Sequence, residues 1–269
     1  MTFLEKISSA QQRTNSMLCV GLDTDLKTLP ESIRGDQDPV VSFNREIINA
    51  TKEFTCCYKL NIAYYEARAE EGIASMRKTL EAIPSHLITI LDIKRGDIGN
   101  TCDQYAYAYQ ELFSVDAITV SPLMGRDSVE PFLKREDRGV FFLGLTSNPG
   151  AQDFEYLELK NGKRLYEEIT DNVREWNKPK LNCGLVVGAT KPDELRALRQ
   201  RVPELPFLIP GIGAQGGSLE AVLEANGKGK ALINVSRAVA GASKANDFAE
   251  AAGKAAESLV NQMRTLRHQ

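Results

Sequence analysis

Short apolar runs and longer amphipathic stretches alternate along the whole chain. The apolar runs cover residues 18–22, 56–60, 87–92, 116–120, 140–145, 184–188, 206–209 and 231–235. Each holds four to six residues, rich in β-branched and aromatic types, without strict alternation. Strands of a parallel sheet read this way, because helices cover both faces. Helix-like stretches separate them at roughly 39–54, 65–82, 101–113, 127–137, 162–176, 192–201, 218–225 and 246–266. Lys191-Pro192-Asp193-Glu194 places a proline and two acids in the first turn of one, and Asp127-Ser128 offers a cap to another. Residues 2–15 predict an extra helix closing the bottom of a barrel. Strands alternating with helices in this way predict an α/β chain, a single (β/α)8 TIM barrel over 1–269, with an open doubly wound sheet as the alternative.

Composition narrows the function. A length of 269 residues suits one such barrel, which typically needs about 250. Net charge is −3, from 33 basic and 36 acidic residues, which argues against a nucleic-acid partner. The five cysteines, at 19, 56, 57, 102 and 183, have neither disulfide nor zinc spacing and suit a reducing compartment; Cys56 and Cys57 read as core residues. The opening stretch carries charges every few residues and lacks the apolar centre of a signal peptide. No uninterrupted apolar run reaches the ~18 residues of a membrane span. The expectation is a soluble, cytoplasmic protein with no membrane partner. Of two histidines, His86 and His268, neither sits at a strand end among acids, so no histidine-based metal site is expected.

A barrel keeps its chemistry at the C-terminal ends of its strands. Those ends read Asp23, then Lys59 and Asn61, Asp92 with Lys94, Ser121, Ser147, the loop 210–217, and Ser236-Arg237. The densest signal is Leu91-Asp92-Ile93-Lys94-Arg95-Gly96-Asp97-Ile98-Gly99-Asn100-Thr101. Asp92 and Lys94 stand two apart on an extended segment, so both side chains face the same way. Lys59 ends the neighbouring strand and can approach Asp92. Alternating acids and lysines hold one another charged, and a lysine so held can give a proton beside a destabilised leaving carboxylate. A structural ion-pair network at the barrel rim is the competing reading.

The loop after the seventh strand, Pro210-Gly211-Ile212-Gly213-Ala214-Gln215-Gly216-Gly217, lets backbone approach a ligand and offers N–H groups to a phosphate. It contains a formal G-x-G-x-x-G, the dinucleotide fingerprint. That fingerprint usually opens its βαβ unit, whereas this one comes late in the chain, and the next strand ends in Asn234-Val235-Ser236-Arg237 without a ribose-binding acid. Loops after strands seven and eight are the usual phosphate site of these barrels, and Arg237 supplies a planar charged donor.

The string T-I-L-D-I-K-R-G-D-I-G-N-T-C at 89–102 resembles the signature of the orotidine 5'-phosphate decarboxylases, and the likeness runs from about residue 18 to 240. The resemblance implies decarboxylation of orotidine 5'-phosphate to UMP, the last step of de novo pyrimidine synthesis, without a cofactor or metal. It implies Lys94 as the proton donor to C6 and Asp92 against the substrate carboxylate, with Lys59 between the acids and the ribose. Asp97, with Ile98 and Thr101, would reach into the neighbouring subunit's site, making a homodimer with shared active sites. Asp23 resembles the ribose-hydroxyl ligand, and Ser147 the residue at the pyrimidine edge, with 148–162 as the lid. The P-G-I-G-A-Q-G-G loop implies Pro210 and Gln215 near the phosphate, with Ser236 and Arg237. Ser236 stands where many relatives carry glycine. Asn61 and residues 124–127 resemble the longer bacterial subgroup, with no role implied. Metal-dependent hexulose- and keto-gulonate-phosphate enzymes share a D-x-K-x-x-D core and are the nearest alternative. A nucleotide-binding module that has lost its chemistry is the other; the presence of Lys59, Asp92, Lys94 and Asp97 together argues against it.

Overall fold

The computed structural model describes every residue except Ala214, Gln215, His268 and Gln269, with Arg267 described by its backbone alone. In chain order the elements are α1 (Phe3–Thr14), β1 (Leu18–Gly21), α2 (Pro39–Thr51), β2 (Cys57–Asn61), α3 (Ala63–Glu66), α4 (Ala69–Ala82), β3 (Ile88–Arg95), α5 (Gly99–Ala106), β4 (Ala117–Val120), β5 (Gly139–Leu145), α6 (Ala151–Phe154), α7 (Leu165–Asn177), β6 (Cys183–Val187), α8 (Pro192–Arg201), β7 (Phe207–Pro210), α9 (Leu219–Asn226), β8 (Ala231–Val235), α10 (Arg237–Ala240) and α11 (Phe248–Arg267). The strands close into one barrel in the order β1-β2-β3-β4-β5-β6-β7-β8. Each expected strand is present, and β3 runs on past Asp92 to Arg95. Among the described residues no helix is long and apolar enough to cross a membrane.

The chain divides into two compact units, Met1–Glu5 with Lys94–Ile233, and Lys6–Ile93 with Asn234–Gln269. The second unit carries β1, β2 and most of β3, paired in parallel with Gly21 opposite Lys59 and Asn61 opposite Asp92. Helix α2 begins where Asp38 accepts the Val41 N–H ahead of Pro39 and buries a stripe of Val40, Phe43, Asn44, Ile47, Ile48 and Thr51. Phe43 stacks on Phe248 of α11 at 5.2 Å. Asn44 is the polar exception in that stripe, and every arm is used. Its amide nitrogen donates to the Tyr65 hydroxyl and to Thr79 Oγ1, both at 3.1 Å, and its oxygen accepts from Thr24 Oγ1 at 2.6 Å. The Tyr65 hydroxyl donates in turn to the Leu22 carbonyl at 2.9 Å. Buried polar groups satisfied in this way fix local geometry, here the chain at Leu22 and Thr24, on either side of Asp23.

In the first unit, adjacent residues of β5 point to opposite faces. Phe141 meets Phe3 edge-on at 5.8 Å, while Phe142 meets Trp176 of α7 at 5.4 Å. Arg199 of α8 is buried with its guanidinium 3.6 Å over the Phe207 ring. It donates to the Leu205 carbonyl at 2.7 Å and to Asn226 Oδ1 at 2.9 and 3.1 Å.

Three expected helices are corrected. The stretch 65–82 is not continuous: Arg68 (φ −112, ψ 14) lies between α3 and α4, and Ala69, which opens α4, has φ 48. The turn brings Gly72 onto the Tyr65 carbonyl, 1.8 Å from where a Cβ would sit, so no larger residue fits there. The stretch 101–113 starts earlier, at Gly99, and passes at Tyr107 into a π-helical turn ending at Leu112. The stretch 127–137 forms two 3-10 pieces, Arg126–Ser128 and Glu130–Lys134. Pro131 lacks the N–H and crowds the preceding turn, and Ser128 donates its hydroxyl to the Gly125 carbonyl at 2.7 Å instead of capping a helix.

Candidate active site

Strand β2 buries its lysine. Lys59 is 4% exposed, and its ammonium lies 3.6 Å from Asp23 Oδ1 and 3.5 Å from Asp92 Oδ2. Burial alone would push this ammonium toward deprotonation. The two carboxylates outweigh that cost and set its pKa above the ordinary lysine range. Lys59 is therefore a fixed positive charge at neutral pH. Asp23 is held from two more sides: Oδ1 accepts the Asn61 N–H at 3.1 Å, and Oδ2 accepts the Ser236 hydroxyl at 2.9 Å. Gly21 makes room for this contact, since a Cβ there would lie 1.8 Å from Ser236 Oγ. Ser236, expected near the phosphate, thus gives its hydroxyl to Asp23. Arg237 follows, exposed, as the first residue of α10.

Lys94 departs from the extended geometry assumed for it. Its φ is 47, in the left-handed region that a lysine rarely occupies. The same-side rule for residues two apart holds for extended backbone, so it does not carry through Lys94. The Lys94 N–H donates to Thr119 Oγ1 of β4 at 3.1 Å. Ladder pairing resumes one residue on, where the Arg95 carbonyl accepts the Ser121 N–H at 2.9 Å. Asp97 follows in a loop tied down by its own N–H to the Ser128 carbonyl at 3.2 Å, while its Oδ1 accepts the Ile98 N–H at 2.8 Å. Ile98 is 59% exposed, and Thr101 is exposed on the first turns of α5.

Ser147, past the end of β5, is half-buried, and its carbonyl accepts the Thr190 hydroxyl at 3.3 Å. The expected lid, 148–162, is pinned part-way. Both carboxylate oxygens of Glu155 accept from Thr146, one from the N–H and one from the hydroxyl, each at 2.7 Å. Next to it, the Tyr156 hydroxyl donates to Glu194 at 2.8 Å. Helix α6 lies before this clasp, and a hairpin bridging Glu158 and Arg164 lies after it. Sequence reasoning missed the contacts of Thr119 and Glu155, because each is a side chain that meets a strand end it does not belong to.

The glycine loop after β7 folds back on itself. The N–H groups of Gly213, Gly216 and Gly217 donate to Gly217, Gly213 and Gly211 carbonyls at 3.1, 2.8 and 3.1 Å. These three amides are engaged within the loop. The Pro210 carbonyl accepts the Ala189 N–H at 2.8 Å. Gln215 lies outside the described residues, as does His268. His86 is exposed just before β3. All five cysteines are buried and unbridged, as the core reading of Cys56 and Cys57 requires. Among the described residues no group of three or more His, Cys, Asp or Glu could hold a metal ion.

Residues 16–252 match the profile described as the Orotidine 5'-phosphate decarboxylase / HUMPS family. The chain is 48% identical over 267 residues to orotidine 5'-phosphate decarboxylase of Herpetosiphon aurantiacus, covering 99% of each chain. It superposes on Leishmania donovani OMP decarboxylase with a TM-score of 0.87 at 37% identity, covering all of both chains. Leishmania donovani UMP synthase is similar with a TM-score of 0.88 at 38% identity; there 99% of this chain spans 57% of that longer one. The chain belongs to the orotidine 5'-phosphate decarboxylase / HUMPS family.

Proposed function

We propose that this protein decarboxylates orotidine 5'-phosphate to UMP, the last step of de novo pyrimidine nucleotide biosynthesis, with no cofactor. The observation that carries the reading is the Lys59 ammonium, buried and held 3.6 and 3.5 Å from Asp23 and Asp92 at strand ends. A fixed cation among carboxylates is an electrostatic environment prepared before substrate arrives. Asp92 sits against the substrate carboxylate, and repulsion between the two raises the ground state. The C6–carboxylate bond breaks, carbon dioxide leaves, and the electron pair stays at C6. Lys94 delivers a proton to that carbon, and Lys59 keeps the pair's charge balanced beside the ribose.

Asp23 holds a ribose hydroxyl, and Ser147 reads the pyrimidine edge. Pro210, Gln215, Ser236 and Arg237 form the phosphate end, where the Arg237 guanidinium supplies the charged contact. Asp97, Ile98 and Thr101 complete the site of a second copy in a homodimer with shared active sites. The exposure of Ile98, at 59%, and of Leu123 and Met124, at 66% and 54%, supports a partner there. Neither nucleic acid nor membrane enters this reading.

The test is direct. Purified protein mixed with orotidine 5'-phosphate should change its ultraviolet absorbance to that of UMP, equally with and without EDTA. Conversion that EDTA abolishes would favour the metal-dependent chemistry of the related sugar-phosphate enzymes. UMP binding without turnover would favour a module that has lost its chemistry.

A further inference from the structure

Lys94 holds a backbone conformation that its side chain disfavours. At φ 47 it lies in the left-handed region, where the Cβ crowds the following carbonyl oxygen. Such residues persist only where their surroundings over-determine them, and they gather at active sites. Here the surrounding element is β4. Thr119 is 1% exposed, and its Oγ1 accepts the Lys94 N–H at 3.1 Å. In a regular parallel ladder that N–H would donate to a main-chain carbonyl of the neighbouring strand. At Lys94 the acceptor is a side-chain oxygen of β4. The next residue is tied as well, the Arg95 carbonyl accepting the Ser121 N–H at 2.9 Å. Lys94 and Arg95 are thus each held by the segment 119–121. A valine at position 119 would fill the same space and offer no acceptor.

We propose that Thr119 is a positioning residue for the reaction: its hydroxyl oxygen holds the Lys94 backbone in the left-handed conformation and so aims the ammonium that protonates C6. This rests on the activity proposed above. Thr119 touches no substrate. Its effect reaches the chemistry only through Lys94, which gives the role a signature that a purely structural threonine lacks.

The experiment compares wild type, Thr119→Val, Thr119→Ser, Lys94→Ala and the Thr119→Val/Lys94→Ala double variant, in kcat, UMP affinity and thermal unfolding. Thr119→Val should lower kcat by about tenfold to a hundredfold, the scale of a catalytic group misplaced by about an ångström, with UMP affinity unchanged within about twofold. Thr119→Ser, which keeps the oxygen, should restore most of kcat. In the Lys94→Ala background, Thr119→Val should lower the residual rate no further. If Thr119→Val does not fold, Thr119→Ala takes its place in the same comparison. A folded variant with wild-type kcat, or equal losses in kcat and UMP affinity, overturns the role. A folded wild type that leaves orotidine 5'-phosphate unchanged overturns the activity itself, and the role of Thr119 with it.

Discussion

Two buried cations in this protein are stabilised in opposite ways. Lys59, at the C-terminal end of β2, is held by the carboxylates of Asp23 and Asp92 at 3.6 and 3.5 Å, and its pKa is raised. Arg199, on α8, is held by the Asn226 side chain, the Leu205 and Lys230 carbonyls and the face of Phe207. Burial among these uncharged groups lowers its pKa to about 10. Charges that hold a charge keep it available for electrostatic work on a ligand. Neutral oxygens that wrap a guanidinium use up its donors and tie elements together. Burial of a cation alone therefore says little about function; the chemistry of its partners decides.

The largest expected effects separate the two directly. Lys59→Met should lower kcat/KM by at least about a thousandfold, a barrier change of about 4 kcal/mol, while the variant still unfolds cooperatively. Arg199→Met should do the reverse. Buried acceptors left without their donor should cost about 2 kcal/mol or more of stability in urea titration, with kcat of the folded fraction near wild type. A catalytic loss in the arginine variant matching that in the lysine variant would break the distinction.

Lys94 and Asp97 extend the comparison to the proposed sharing of the site between subunits. Lys94→Ala and Asp97→Ala should each be inactive alone. Mixed in equal amounts with free subunit exchange, they should recover about a quarter of wild-type activity, because half the dimers are mixed and each mixed dimer has one intact site. Verified mixed dimers without recovery would place Asp97 within its own subunit's site. A smaller effect is expected at the phosphate end. Arg237→Ala should weaken UMP binding by about 1.5–3 kcal/mol, roughly ten- to a hundredfold, and leave uridine binding almost unchanged. Equal losses for both would remove the phosphate contact from Arg237.

The smallest effect is a difference in pH dependence. The folded-state pKa of Lys59 is raised, so its contribution to stability is complete below the unfolded value of about 10.4. It is lost as pH rises through the higher folded value. Arg199, lowered to about 10, has the opposite sign: above that pH the unfolded chain binds more protons than the folded one, and its contribution rises. Urea midpoints of wild type and Lys59→Met should therefore converge as pH is raised from about 9 to 12. Those of wild type and Arg199→Met should diverge.

Much of this was legible in the sequence. Strand after strand lies where an apolar run predicts it, because continuous apolar character is what burial on both faces selects. Lys59 and Asp92 meet as their strand-end positions suggest. The rest fails for identifiable reasons. Pro131 disrupts the expected helix 127–137, although the amphipathic pattern continues past it. Ala69 and Lys94 take positive φ with ordinary side chains, which carry no mark of it in sequence. The Ser236–Asp23 contact joins residues more than two hundred positions apart, and local spacing holds no record of it.

The central claim is that this protein removes carbon dioxide from orotidine 5'-phosphate and puts a proton on the carbon left behind. Purified protein should be incubated with that substrate in deuterium oxide containing EDTA, and the product read by proton NMR. The expected result is UMP bearing one deuterium at C6, formed at the same rate with or without the chelator. Unchanged orotidine 5'-phosphate in the presence of folded protein, or product that forms only when a divalent metal is restored, would contradict it.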